Sequence, residues 1–208
     1  MMGFDEAMKL AAKAADEAVG RAMAKYGRGQ VTDEDDLTGV LIGNLDAAFD
    51  ANIGGVQWSS SILRHRKGVA SEESRIGADM IIHVAVRSRI QAYSKAVLIQ
   101  AKRHQPGSLM AKAEQADLVK QCDKMLAVTA ASFVFDYTTG DMRCGSASKI
   151  SGSTNRDLYD ACNWTSYRFF LELFRSPIGD PRLSSALVAD LPVPVVLKLS
   201  AEGDISGE

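Results

Sequence analysis

The sequence predicts an α/β fold, strands and amphipathic helices along one chain, and three patterns carry that expectation. In ADMIIHVAVR, 78–87, the residues Ala78, Met80, Ile82, Val84 and Val86 alternate with Asp79, Ile81, His83, Ala85 and Arg87, the period of a strand with one more apolar face. In KAVLIQAKR, 95–103, Val97, Ile99 and Ala101 take one face and Ala96, Leu98, Gln100 and Lys102 the other, because side chains two apart point the same way. The short, polar SRIQAYS between them joins the two strands as a hairpin. Elsewhere, apolar residues recur every three or four positions over long segments, as amphipathic helices require.

Residues 4–26 form the first of these, with Phe4, Met8, Ala11, Ala15, Val19, Ala22 and Tyr26 in phase and GRGQ as the stop. This narrow stripe suits packing on its own domain or on another subunit. Thr32 or Asp33 can cap a second helix over 34–51, with Leu37, Leu41, Leu45, Ala48 and Phe49 facing inward. A strand at 56–63 leads to the basic cluster Arg64, His65, Arg66 and Lys67, which reads as a solvated loop or as a set of phosphate contacts. After the hairpin, a helix over 109–129 turns Leu118, Cys122, Met125 and Leu126 inward. Gln115 is in phase with that stripe and Gln121 lies at its edge, each looking toward the strands or bonded to backbone. SFVFDY, 132–137, is a buried strand, followed by a weaker strand ending near Ser148. The span 156–176 reads as one helix, and LPVPVVLKLS, with two prolines, as an edge strand. The expected organisation is a single domain over 1–200 and a flexible tail over 201–208.

With 208 residues, of which 46% are hydrophobic, the chain can bury a sizeable core without disulfides or a structural metal. Its formal net charge of -2 means that contact with nucleic acid must come from a local basic patch. Cys122, Cys144 and Cys162 are widely spaced and lack CxxC spacing, which favours thiols in a reducing compartment. The start is acidic, and no run approaches ~20 apolar residues, so a cytoplasmic location and no membrane contact are expected. Glycine-rich phosphate loops, GxGxxG, GxSxG and HExxH are absent from the sequence. The three histidines are isolated, and each reads as a surface residue.

What remains is a set of polar residues in apolar company. An amide and an ammonium rising from one strand face, Gln100 and Lys102, are costly to bury without partners and point to a site containing negative charge. Within DEDD, 33–36, carboxylates have an ordinary role at a helix start. At roughly 100° per residue, however, Glu34 alone projects into the apolar stripe, which reads as a catalytic or metal-binding acid or as a surface Glu that falls in phase by chance.

Glu34 on a helix, Asp79 on one strand and Gln100 with Lys102 on the next resemble the PD-(D/E)xK nuclease superfamily over about residues 32–137. The resemblance implies a restriction endonuclease-like αβββαβ core, a mixed central sheet flanked by helices, here with an extra N-terminal helix and a C-terminal helix-strand extension. It implies that Asp79 is the metal-binding acid, that Gln100 takes the place of the second acid, that Lys102 is the motif lysine, and that Glu34 is the acid of the first helix. No proline precedes Asp79, and Gln100 stands where Asp or Glu is usual; this QxK form is similar to that of Mrr-like restriction enzymes. Losing one carboxylate weakens Mg2+ binding, and Glu73 either supplies a compensating acid or merely solvates its loop. Gln115 and Gln121 would be auxiliary. The implied activity is Mg2+-dependent hydrolysis of DNA, with Mn2+ able to substitute, in bacterial restriction or antiphage defence. Arg64, Arg66, Lys67 and Arg103, aided by Arg87 and Arg89, would carry the DNA backbone. Self-assembly into a homo-oligomer or a defence partner protein would supply targeting. The competing expectations are a catalytically degenerate subunit of the same fold, which binds nucleic acid or a protein, and a protein in which Asp79 and Lys102 form a plain ion pair.

Overall fold

Small residues at successive turns let the first helix lie close to its neighbours. In the computed structural model, which describes residues 2–64 and 76–203, α1 (Phe4–Gly27) buries Ala7, Ala11, Ala15, Ala18 and Ala22 along one side. Helix α2 (Glu34–Ala48) starts at Asp33, whose carboxylate accepts from the amides of Asp35 and Asp36, and it buries Leu37, Leu41, Ile42 and Leu45. The strands are β1 (Asn52–Ile53), β2 (Val56–Arg64), β3 (Met80–Arg87), β4 (Ala92–Arg103), β5 (Ser132–Tyr137), β6 (Met142–Ser146), β7 (Trp164–Thr165) and β8 (Val195–Glu202). The remaining helices are α3 (Lys112–Val128), α4 (Ala147–Ser151), α5 (Leu158–Ala161), α6 (Ser166–Arg175) and α7 (Ser185–Asp190).

All eight strands join one mixed sheet in the order β1-β2-β8-β3-β4-β5-β6-β7. The expected hairpin is β3–β4, paired antiparallel from Met80↔Ile99 to Arg87↔Ala92, and β5 runs parallel to β4 on its other side. The alternation read from sequence sorts the two faces. Met80, Ile82, Val84, Val97, Ile99 and Ala101 meet α1, α2 and α6, while Ile81, Ala96 and Leu98 meet α3, α4, α5 and α7. Phe169, Phe170 and Phe174 of α6 are wholly buried on the first face, where Phe49, Trp58 and Phe174 pack with ring centroids 4.8 to 5.4 Å apart. These aromatics are core, as burial of their large surfaces favours.

Three expectations need correction. The C-terminal strand is not an edge or an appended extension: β8 lies between β2 and β3, antiparallel to one and parallel to the other. Its prolines, Pro192 and Pro194, both precede Val195, so no ladder amide is lost. The strand also runs through Ala201, which is 1% exposed, to Glu202, so the boundary expected at residue 200 falls inside it; residues 204–208 lie outside the described residues. Finally, the single helix expected over 156–176 breaks at Cys162. Trp164 and Thr165 pair with β6, and the Thr165 hydroxyl caps α6 by accepting from the Arg168 amide. Thr165 is a good N-cap residue that periodicity alone overlooks.

A strand buried between two others should be sensitive to truncation. Leu197→Ala is expected to cost about 2–5 kcal/mol, whereas Ser59→Ala on the exposed part of β2 should change stability by less than about 0.5 kcal/mol, both measured by urea unfolding.

Candidate functional site

The C-terminal ends of β4 and β5, the start of β3 and the start of α2 meet at one end of the sheet, and the polar residues singled out in the sequence cluster there. Asp79 sits just before β3, half-buried, and one of its carboxylate oxygens, Oδ2, accepts from the Ala101 amide at 2.7 Å and from Gln100 Nε2 at 2.5 Å. Gln100 is 1% exposed, and its Nε2 also donates to the Ala101 carbonyl at 3.0 Å. With both donor contacts on one side, Oε1 is left buried without a protein donor. Two positions on, Lys102 reaches Glu34 of α2, Nζ to Oε1 3.5 Å, with the side chains 19% and 32% exposed. The ion pair is therefore with Glu34, not the Asp79–Lys102 pair entertained from sequence.

Burial dominates the electrostatics. Asp79 is pushed up to about 7, chiefly by desolvation, against the pull of the Ala101 amide and Lys102. Glu34 is raised for the same first reason, with Lys102 opposing. A fourth ionisable group stands beside them. Asp136, on β5, is the in-register neighbour of Lys102, is 0% exposed, and has no hydrogen-bond partner on either carboxylate oxygen. Desolvation pushes it up to about 8, despite the His104 amide nearby, and Asp141, Asp157 and Glu34 add negative field. Sequence reasoning passed over Asp136 as part of a buried strand. Its signal was a carboxylate inside SFVFDY, out of phase with Phe133, Phe135 and Tyr137.

Gly77 brings the chain into Asp79. Its φ is 76°, and a Cβ there would lie 2.5 Å from the Gln121 carbonyl oxygen, so α3 presses directly on this segment and only glycine fits. Gln121 accordingly flanks the site, with Oε1 buried and unpartnered. Gln115, in the first turn of α3, is bonded to backbone: its Nε2 donates to the carbonyls of Ser153 and Asn155 at 3.3 and 3.5 Å. Arg64 and Arg103 are both exposed at this end of the sheet, Arg103 lying over the Tyr26 ring at 5.8 Å. Glu73, His65, Arg66 and Lys67 lie outside the described residues. His83 and His104 are not surface residues. His83 is 2% exposed, bonded through Nε2 to Ser94 Oγ at 2.8 Å, and held down at about 4 by burial and Lys198. The three cysteines are free and buried, and burial raises each thiol, which makes them packing residues and not nucleophiles.

Among the described residues no group of three or more His, Cys, Asp or Glu side chains converges as a metal cage. The donors at the sheet end are instead two carboxylates, Asp79 and Glu34, and the orphaned Gln100 oxygen. These are hard oxygen ligands, few in number, which suits a hydrated Mg2+ better than a fully protein-bound ion. Among the described residues no helix is long and apolar enough to cross a membrane. No protein-family model matches the chain, and no curated protein matches it.

Two measurements follow from this geometry. Gly77→Ala should destabilise by about 1–3 kcal/mol through strain at a positive φ and should perturb the amide signals of Asp79 and Ala101. Asp136 ionises in the unfolded chain near its ordinary value but holds its proton to about 8 when folded. Its contribution to stability is thus fully present below about pH 4 and is lost as pH rises toward 8. Asp136→Asn should flatten that fall in urea unfolding midpoints between pH 4 and 8.

Proposed function

We propose that the protein is a Mg2+-dependent endonuclease that hydrolyses DNA phosphodiester bonds, built on a restriction endonuclease-like core. The observation that carries this reading is the meeting of Glu34, Asp79, Gln100 and Lys102, from three separate elements, at one end of the sheet, with the Gln100 oxygen lacking any donor. The order α2, β2, β3, β4, α3, β5 supports it as an αβββαβ series, with β8 inserted between the first two strands.

Each residue has a task that its surroundings suit. Asp79, fixed by the Ala101 amide, orients the Gln100 side chain so that its oxygen faces away from the clamp. Asp79, Glu34 and Gln100 would hold the cation, and Mn2+ would serve in place of Mg2+. When bound, the cation supplies positive charge that neutralises the scissile phosphate. Lys102 adds a mobile ammonium that can orient water or stabilise charge developing on the phosphate. Arg64 and Arg103, exposed at the same end, extend a positive surface along the DNA backbone, a local attraction that the chain's net charge of -2 does not provide. A cytoplasmic role in restriction or antiphage defence, with targeting by self-assembly or by a defence partner protein, fits a chain whose described part is one sheet with two helical layers.

A second reading rests on the Lys102–Glu34 pair and the small number of acids. A site in which the lysine is held by its own helix acid could serve a catalytically degenerate subunit that binds nucleic acid or a protein partner. Incubating the purified protein with plasmid, linear DNA and RNA plus Mg2+ or Mn2+ separates the two. Cleavage of DNA should fall at least ~10²-fold in Lys102→Ala and Asp79→Ala, with circular dichroism confirming that both variants fold. Cleavage that survives both substitutions would rule out this active site, and metal-independent binding without cleavage would favour the degenerate subunit.

A further inference from the structure

The face of the sheet that carries Lys102 holds more buried acceptors than donors. Gln100 Oε1, Gln121 Oε1 and both oxygens of Asp136 are buried without hydrogen-bond partners. Buried acceptors left without donors are costly, and such a concentration beside a cationic side chain calls for a physical account. Asp136 has two cations as in-register neighbours, Lys102 on β4 and Arg143 on β6. Arg143 is already engaged: Nε donates to Asp141 Oδ2 at 2.9 Å, Nη2 donates to Tyr159 Oη at 2.8 Å, and the guanidinium lies 4.8 Å from the Tyr159 ring centroid. Lys102 is held differently. Its contact with Glu34 is long, 3.5 Å, and partly exposed, and its four-carbon stem is flexible. Adjacent strands lie about 4.8 Å apart, so a rotation of that stem along the sheet brings the ammonium to the Asp136 carboxyl without moving the backbone.

We propose that Asp136 is a positioning residue for Lys102: when the Glu34 carboxylate is drawn to a cation, the ammonium leaves Glu34 and seats on Asp136. This rests on reading Lys102 as the lysine of the nuclease site. The exchange breaks the ion pair at Glu34 and forms one at Asp136, whose proton passes to solvent as the ammonium arrives. Groups that face Asp136 are consistent with a neutral resting carboxyl. Besides Lys102 and Arg143, whose charges are directed elsewhere, it meets the His104 amide, which favours the charged form, the acids Asp141, Asp157 and Glu34, and the buried thiols of Cys144 and Cys162. In the seated state the ammonium stays on the strand face that also carries Gln100. Glu34 thus holds Lys102 away from Asp136 until the cation takes its place.

The exchange can be read without metal or DNA by removing the charge of Glu34. With aspartate carboxyl carbons labelled and Asp136 assigned from Asp136→Asn, NMR spectra are compared for the parent, Lys102→Met, Glu34→Gln and the Glu34→Gln/Lys102→Met double variant. Amide fingerprints verify the fold, and Glu34→Ala gives a second route to the same release. The expected result is that the Asp136 carboxyl signal moves to its ionised position in Glu34→Gln and returns in the double variant, while Lys102→Met alone leaves it unchanged. An Asp136 signal identical in all four proteins would overturn the proposal. So would an equal effect of Lys102→Met in the parent, which would mean that Lys102 already rests on Asp136. Because these spectra require no catalysis, a failure of the cleavage assay bears on the nuclease reading and a failure here bears on the partner exchange.

Discussion

One carboxylate oxygen organises the end of the sheet. Where the β3–β4 ladder stops at Met80↔Ile99, Asp79 Oδ2 takes over by accepting from the Ala101 amide and from the Gln100 side chain. This clamp replaces a missing ladder bond, and it also fixes which way Gln100 points. The Gln100 amide presents its nitrogen to this carboxyl, which leaves Oε1 turned away from the clamp and without a partner. The direction of that oxygen, the crowding of α3 on Gly77 and the access of Lys102 all follow from where Asp79 is tied.

Charge at this end of the molecule is arranged in an unusual ratio. Three carboxyl groups, Glu34, Asp79 and Asp136, are all raised by burial, while the lysine that shares their strand face makes its ion pair with the outermost of them. Packing and solvation favour fewer charges here. Displaced pKa values are frequent at functional sites, and desolvation displaces Lys95 and His83, farther along the same hairpin, as well. Elsewhere the apolar residues sort to either face of the sheet, with the buried polar side chains of His83, Lys95 and Asp180 among them.

Much of this was legible from residue spacing because the strands are long and buried on both faces. The alternation in 78–87 and 95–103 placed Gln100 and Lys102 on one side, and the helical phase of Glu34 aimed it at the strands, both as found. What spacing could not supply was order across the sheet. Nothing local in VVLKLS distinguishes a strand with one neighbour from a strand with two, and the prolines beside it suggested the wrong choice because their position relative to Val195 decides their effect. Asp136 was missed for a related reason. Its meaning comes from the Lys102↔Asp136 register, a long-range pairing, whereas the local sequence shows only one acid among aromatics. For Gln115 the helical phase left two outcomes open, and the 153–155 backbone takes its amide.

The position of β8 has a consequence for how the chain comes to be folded. β2 and β3 are consecutive strands, yet neither pairs with the other; each pairs with β8, which is made last among the described strands. Until Val195–Glu202 is added, β2 and β3 each lack the neighbour that covers their edge in the folded sheet. Long-range closure of this kind is slow, and exposed edges invite pairing with other chains. The interval before β8 arrives is thus the period in which this protein is most exposed to aggregation, and the strand that completes the sheet is also the one that closes those edges.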